Sequence, residues 1–359
     1  MTTVAHVVGA RPNFMKAAPV IRALNALPVR QLLIHTGQHY DASMSDAFFR
    51  QLSLPTPDIN LGVGSGSHAQ QTADVMIGFE KFIGANRPDL LVVYGDVNST
   101  MAASLVAAKA GIPIAHVEAG LRSFDRTMPE EINRIVTDCL ATLFFTPSAD
   151  ADANLKREGI DAARIHLVGN VMIDTLIKCL PMANANAILA PLGIGERQPY
   201  ILVTLHRPSS VDDPALLAAL IEVLNDLAKE YPVIFPVHPR TQAKLAAATR
   251  AATLHLLDPV GYLEFVGLEK NARLVITDSG GVQEETTYLG VPCLTVRDNT
   301  ERPVTISDGT NRLAGRDPHT LRRLAKESLE GPVPKKRIPA LWDGHASERI
   351  AAVIAKELR

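Results

Sequence analysis

Two periodicities alternate along this chain. Short runs that are apolar at nearly every position (Val4 to Val8, QLLIH ending at His35, LLVVY ending at Tyr94, IAHV ending at Val117, LFFT ending at Thr146) are each followed by a longer stretch with helical spacing of its apolar residues. The series restarts after about residue 170 with YILVT, VIFP, LHLL, RLVIT and PCLTV. A strand without a polar face has to be covered on both sides, and a helix between successive strands is the connection a parallel sheet requires. The pattern predicts an α/β chain of two Rossmann-like domains facing a cleft, with residues 1–169 forming the first and 170–344 the second. The connector is placed between Gly169 and Gln198, where MANANAILAPLGIGERQP ends in Gly and Pro. The amphipathic tail HASERIAAVIAKELR, residues 345–359, is expected as a helix packing back toward the first domain.

Composition narrows the function classes. With 359 residues and 47% hydrophobic content, the chain has material for roughly two cores. A net charge of −2 offers neither a polycation for nucleic acid nor a basic anchor for a membrane surface, so any phosphate must be held by a few placed groups. Cys139, Cys179 and Cys293 are far apart and form neither a metal spacing nor a disulfide framework, which suits a reducing cytoplasm. The start, MTTVAHVVGARP, runs directly into a strand without the marks of a signal peptide, and no apolar run approaches the ~20 residues of a membrane span. His35 and His39 are four apart, but Thr36-Gly37-Gln38 between them argues against a helical pair, and no metal is assigned. Gly62 to Ser67 is glycine-rich with the wrong spacing for a dinucleotide fingerprint; it reads as a loop before a helix starting near Ala69, and no segment calls for NAD.

Parallel sheets bind ligands at the carboxyl ends of their strands, and two such domains would share a site in the cleft. Reactive residue types do gather just after the apolar runs: Arg11, Asp96, Glu118, His206 and Ser279. The richest stretch is Asp278-Ser279-Gly280-Gly281-Val282-Gln283-Glu284-Glu285, a strand end turning into a helix that Gly290 closes. Free backbone N–H groups at a helix start form an anion site, and glycines let a phosphate approach; Glu285, a turn further on, can meet ribose hydroxyls. The alternative is a turn that needs glycine only for its own geometry. In GARPNFMK, Pro12 suits the first helical position, Arg11 can fork onto phosphate oxygens and Lys16 adds a point charge. Cations at a helix start are electrostatically disfavoured and call for an anion. Asp96 and Glu118 sit at adjacent strand ends, and His116 is two residues from Glu118, on the same strand face. These acids can serve as general acid or base, or as a helix cap and a structural ion pair. Glu130 and Glu131 open a helix, where acids favour the dipole without any chemistry. His206 either packs or meets a phosphate.

Taken in order, GARPNFMKAAP, HTGQH, GDVNST, HVEAGLRS, MPEEINR, TLHRP, PVHPRT, DPVGYLEF, TDSGGVQEE, RDNTERP and WDGHASERI resemble the non-hydrolysing UDP-N-acetylglucosamine 2-epimerases. The resemblance implies a glycosyltransferase-B type fold and reversible inversion at C2 of UDP-GlcNAc to UDP-ManNAc. UDP is expelled and re-added through a 2-acetamidoglucal, with no NAD and no metal. It implies that Arg11, Lys16, His206, Phe265, Ser279, Gly280, Gly281, Glu285 and Arg302 contact the nucleotide sugar. Asp96, Glu118 and Glu130 would carry the acid–base steps, with His206 assisting at the leaving group. It also implies a cytoplasmic homodimer that engages neither nucleic acid nor membrane. Some segments depart from the family pattern: GARPNF for GTRPE, HRPSSVDD for an HRREN-like stretch, QHYDASMSDAFF for a QHR-type segment, and Val260 for a common glutamine. The QHR and HRRE segments help bacterial members hold a second, activating UDP-GlcNAc. The departures resemble a branch acting on UDP-2,3-diacetamido-glucuronic acids, which stays open as an alternative substrate class. A UDP-sugar glycosyltransferase of the same fold is the other alternative.

Overall fold

Each apolar run is a strand because it can bury both faces, and every strand pairing in this computed structural model is parallel. The structure describes residues 1–38, 52–195, 197–237, 239–245, 251–332 and 335–358. They divide into two compact units, Met1–Thr175 with Ala340–Arg359, and Leu176–Pro339. The first contains β1 (Thr3–Val8), β2 (Arg30–His35), β3 (Ile59–Asn60), β4 (Leu90–Tyr94), β5 (Ile114–Val117), β6 (Leu143–Thr146) and β7 (Ile165–Leu167), side by side as β3-β2-β1-β4-β5-β6-β7. The second contains β8 (Ile201–Thr204), β9 (Val233–Pro236), β10 (Leu254–Leu257), β11 (Leu274–Thr277), β12 (Cys293–Thr295) and β13 (Asn311–Leu313), in the order β10-β9-β8-β11-β12-β13.

Helices cover both sheets, so the central strands are buried throughout. Val7 stands opposite Ile34 and Val93, and Ile276 opposite Val203 and Leu294. All six are essentially inaccessible, each burial worth roughly 1.5–3 kcal/mol. Strand order reverses once in each sheet, between β1 and β4 and between β8 and β11. In a doubly wound sheet that switch point opens the crevice in which a ligand sits. Three short edge strands, β3, β7 and β13, had no counterpart in the hydrophobic pattern because two or three residues show no period. β3 is fixed by its neighbour: the Asp58 carboxylate accepts the Leu33 N–H at 2.8 Å, and Leu61 N donates to His35 O at 2.8 Å.

The chain's last segment belongs to the first unit. Its helix Ala346–Glu357 packs on the helix Arg11–Leu24 that follows β1. The Asp174 carboxylate caps it, accepting the N–H groups of Ala346 at 3.1 Å and Ser347 at 2.7 Å. Just before it, the buried Trp342 donates its indole N–H to Pro147 O at 2.9 Å. Gly169 has φ +85°, and a Cβ there would lie 2.1 Å from Leu341 O. No helix among the described residues is long and apolar enough to cross a membrane. Trp342→Ala removes a large buried ring and strands the Pro147 carbonyl. Denaturant unfolding is expected to show a loss of roughly 3–5 kcal/mol, and an unchanged midpoint would mean that the tail is not part of the folded first unit.

Candidate active site

At the switch point of the first unit, β1 runs into Gly9, which has no room for a side chain: a Cβ would lie 2.3 Å from Ser99 Oγ and 2.6 Å from Thr36 Oγ1. Asn13 completes the turn, accepting the N–H groups of Gly9 and Ala10 at 3.1 Å each and donating to Tyr94 O at 2.7 Å. This stitches β1 to β4. Arg11 starts the helix, half-buried, with Pro12 next to it and no acid in the first turn. Lys16, one turn further and 4% exposed, is bound to both carboxylate oxygens of Glu118 at 2.8 Å. The anion that offsets this cation therefore comes from the protein itself. Gly95, after β4, gives the ammonium space, since a Cβ there would sit 2.6 Å from Lys16 Nζ.

Glu118 is 4% exposed and has φ +72°, a strained conformation for a residue with a Cβ. It lies beyond the end of β5, so strand alternation does not relate it to His116, contrary to the expectation of a shared face. Glu118 turns to Lys16, whereas the His116 ring contacts Asp138 Oδ1 through Nδ1 at 2.7 Å and Gly95 O through Nε2 at 2.8 Å. Both of those partners are acceptors, so the ring donates from both nitrogens and is cationic. Asp138 also binds Arg122 Nη1 at 2.7 Å and accepts the Gly120 N–H at 3.1 Å. Burial pushes the Asp138 carboxyl up, but the His116 and Arg122 charges outweigh it and hold it below the ordinary aspartate range. The two glycine loops flanking Asp96 and Glu118 are thereby tied to one buried charge cluster.

Asp96 does not cap the following helix Asn98–Lys109, whose N-cap is Val97. It pairs instead with Arg134, which also binds Glu131 Oε2 at 2.8 Å. Glu131 in turn accepts the N–H groups of Ser123 and Phe124 at 2.9 Å each. Of the two acids opening the helix Pro129–Leu140, Glu131 is thus the buried structural one, while Glu130 is half-exposed. The spacing of Glu131 and Arg134, three apart and so on one helix face, was the signal available in the sequence for this network.

The second unit repeats the arrangement at its own switch point. Asp278, after β11, is fully buried and reaches across to the end of β8, accepting the N–H groups of His206 at 3.0 Å and Arg207 at 2.9 Å and pairing with His206 Nδ1 at 3.0 Å. Burial opposes its charge, yet these His206 and Arg207 contacts keep its carboxyl below the usual range. His206 itself is exposed. Ser279 is the N-cap of the helix Gly280–Leu289, but its hydroxyl makes no cap bond and no acid lies in the first turn. Gly290, with φ +81°, ends that helix. A Cβ on Gly280 would meet Arg302 Nη1 at 2.5 Å, so this glycine lets a guanidinium lie over the helix start, next to half-buried Gly281. Arg302 donates from Nε to Glu284 Oε1 at 2.7 Å and is paired with Glu301, whose other oxygen binds Arg297 at 2.6 Å. Glu285 is 3% exposed and accepts the Tyr262 O–H at 2.7 Å. Phe265, half-buried, lies on the same helix as Tyr262, Tyr262–Asn271, and packs on the second unit's core.

The structure therefore gathers the sequence candidates into two sets. Lys16, Asp96 and Glu118 stand with Arg11 around the ends of β1, β4 and β5. His206, Ser279, Gly280, Gly281 and Arg302 stand around the ends of β8 and β11, with Glu285 farther along the same helix. His39 and His238, in two of the motifs, lie outside the described residues. Among the described residues no group of three or more His, Cys, Asp and Glu side chains could hold a metal ion.

Two parallel doubly wound units with reactive groups at each switch point define a ligand-binding class of α/β protein, and comparison with known proteins narrows the class. The sequence profile described as UDP-N-acetylglucosamine 2-epimerase matches residues 22–355, and the chain belongs to that family. It is 44% identical over 340 residues, 92% of each chain, to the UDP-N-acetylglucosamine 2-epimerase of Methanococcus maripaludis. It is 41% identical over 354 residues, 98% of each chain, to the UDP-2,3-diacetamido-2,3-dideoxy-D-glucuronate 2-epimerase of Pseudomonas aeruginosa. The crystal structure of the Methanocaldococcus jannaschii UDP-GlcNAc 2-epimerase in complex with UDP-GlcNAc and UDP superposes with a TM-score of 0.90 at 40% identity, covering 99% of this chain and 100% of that one. A glycotransferase of kitacinnamycin shares the fold alone, at a TM-score of 0.60 and 14% identity.

Asp138→Asn leaves buried His116 without its carboxylate partner, while Arg122 keeps Glu158 at 2.6 Å. A loss of roughly 3–5 kcal/mol at neutral pH is expected in denaturant unfolding. Because the folded-state carboxyl titrates below its unfolded value, the wild type's advantage is complete above about pH 4 and shrinks as pH falls further. A gap that widened on acidification would contradict the assignment.

Proposed function

We propose that this protein interconverts UDP-GlcNAc and UDP-ManNAc by eliminating and re-adding UDP. The observation that carries the reading is that one chain holds both a strained, buried carboxylate at the first unit's switch point, Glu118, and an uncapped helix start under a guanidinium at the second unit's, Ser279 to Gly281 with Arg302. The C2 hydrogen of the sugar is not next to a ketone, so it leaves as a proton either after transient oxidation at C3, which needs NAD, or with breakage of the C1–O bond, and this reading takes the second route. A base takes the C2 proton, the electron pair of that bond forms the C1=C2 double bond, and the pair of the C1–O bond departs on UDP. Re-addition returns UDP to C1 and a proton to the opposite face of C2. No carbon needs an outside oxidant, so the reaction calls for no nicotinamide.

In this reading the second unit holds the nucleotide. The N–H groups after Ser279 and the Arg302 guanidinium take the pyrophosphate, with His206 beside it; Glu285 takes ribose hydroxyls, and Phe265 contacts the nucleotide. Placed donors of this kind contribute about 10²–10³ each in rate when charge develops on the leaving group. The first unit handles protons through Asp96, Glu118 and Glu130, with Arg11 and Lys16 adding positive charge. Inversion needs a proton carrier on each sugar face, which calls for more than one of these acids. On the family's pattern the working form is a cytoplasmic homodimer.

The Pseudomonas relative favours a second reading, the same chemistry on a UDP-2,3-diacetamido-glucuronate, supported by its 41% identity over nearly the whole chain. One time course in D₂O separates the possibilities. With UDP-GlcNAc as sole substrate, UDP-ManNAc is expected to appear carrying deuterium at C2, and Glu118→Gln is expected to lower kcat about 10³-fold while UDP affinity stays within about threefold. Epimer without deuterium would exclude proton removal. Accumulating UDP and free sugar would show a hydrolase, and turnover of the diacetamido uronate alone would select the second substrate.

A further inference from the structure

The second unit contains a carboxylic acid for which the proposed chemistry has no use. Glu269, on the helix Tyr262–Asn271, is wholly buried, and neither of its oxygens accepts a hydrogen bond from any donor among the described residues. Its neighbour in sequence, Lys270, turns away and donates to Ala183 O at 3.2 Å. The group that the Glu269 carboxyl faces is another carboxyl, that of Glu285 on the helix Gly280–Leu289. Glu285 already accepts the Tyr262 O–H at 2.7 Å. Among the described residues, the other titratable groups that interact with these two carboxyls or with Tyr262 are the Tyr262 phenol and the thiols of Cys179 and Cys293, none of them a cation.

Two carboxylates offer only acceptors and repel each other, so two buried carboxyls meet only where one of them holds a proton. We infer that Glu269 holds that proton and donates it in a hydrogen bond to Glu285, so that Glu269 is a positioning residue for the nucleotide. The inference rests on the reading in which Glu285 takes ribose hydroxyls. Glu269 is the natural owner of the proton because it has no other donor, whereas the Glu285 charge is already stabilised by Tyr262. Burial raises the Glu269 carboxyl well above the ordinary glutamate range, and the neighbouring Glu285 raises it further. Glu285 is then gripped by two O–H donors, one at each end of the helix Tyr262–Asn271. That grip fixes its orientation relative to the helix start at Ser279, six residues and more than one turn away.

The test compares wild type with Glu269→Gln and Glu269→Met, by infrared spectroscopy and by calorimetric titration with UDP. The wild type is expected to show a protonated-carboxyl stretching band at neutral pH that both variants lack. Glu269→Met, which fills the space but cannot donate, is expected to weaken UDP binding about tenfold or more, whereas Glu269→Gln, whose amide N–H can replace the acid O–H, stays within about threefold of wild type. A packing role would not be rescued by glutamine over methionine. Absence of the band, or methionine binding UDP as tightly as wild type, overturns the inference while leaving the nucleotide reading intact. A wild type that binds no UDP yet shows the band would instead sink the nucleotide reading, and the positioning role with it, and leave the shared proton standing.

Discussion

A carboxylate withdrawn from water costs several kcal/mol unless a cation, a set of donors or a proton meets it. That constraint shapes both halves of this protein, because each of its parallel sheets ends in acids that its apolar strands carry out of solvent. Glu118 meets Lys16, Asp96 and Glu131 meet Arg134, Asp138 meets His116 and Arg122, and Asp278 meets His206 and two backbone N–H groups. Each pair links the end of one strand to a helix or a strand end next to it, so satisfying the charges also fixes the loops that carry the reactive groups. Glu269 has no such partner and is met by a proton.

Much of the fold could be read from the sequence because burial on both faces leaves an unbroken apolar run, and such runs mark ten of the thirteen strands of the described residues directly. The helix after Ser279 was equally legible, from the glycines at its start and Gly290 at its end. Strand order was not, since it depends on which runs lie side by side and leaves no local trace. The edge strands β3, β7 and β13 were too short to show a period. At the site, residue types at strand ends pointed to Glu118, Asp96, His206 and Ser279, but their partners did not announce themselves. Lys16 read as a cation awaiting an external anion, and only the fold brings it to Glu118, 102 residues away. Glu131 looked like an ordinary helix acid, because a charge at helical spacing is solvated far more often than buried, and nothing in the sequence singled out Asp138. The left-handed backbone at Glu118 was invisible, since nothing but glycine advertises that conformation.

The family's activity asks a protein to break a carbon–oxygen bond and a carbon–hydrogen bond on neighbouring atoms, then rebuild both with one inverted. The division of labour fits the two units. On the proposed reading, one supplies backbone and guanidinium donors suited to an anionic diphosphate leaving group, and the other supplies carboxylates that are held by buried cations. Rigid placement matters because the displaced sugar has no covalent tether to the protein, and a misplacement of about 1 Å can cost 10²-fold in rate.

The central claim is that UDP becomes free of the sugar during turnover. It is tested most directly with UDP-GlcNAc carrying a heavy-oxygen label in the atom that bridges C1 and the β-phosphorus. If the C1–O bond breaks, the terminal phosphate of the released UDP rotates before it adds back, and recovered substrate and epimer both show the label moved into non-bridging β-phosphate positions. Epimer formed with the label still wholly in the bridge would show that the bond never broke and would contradict the account.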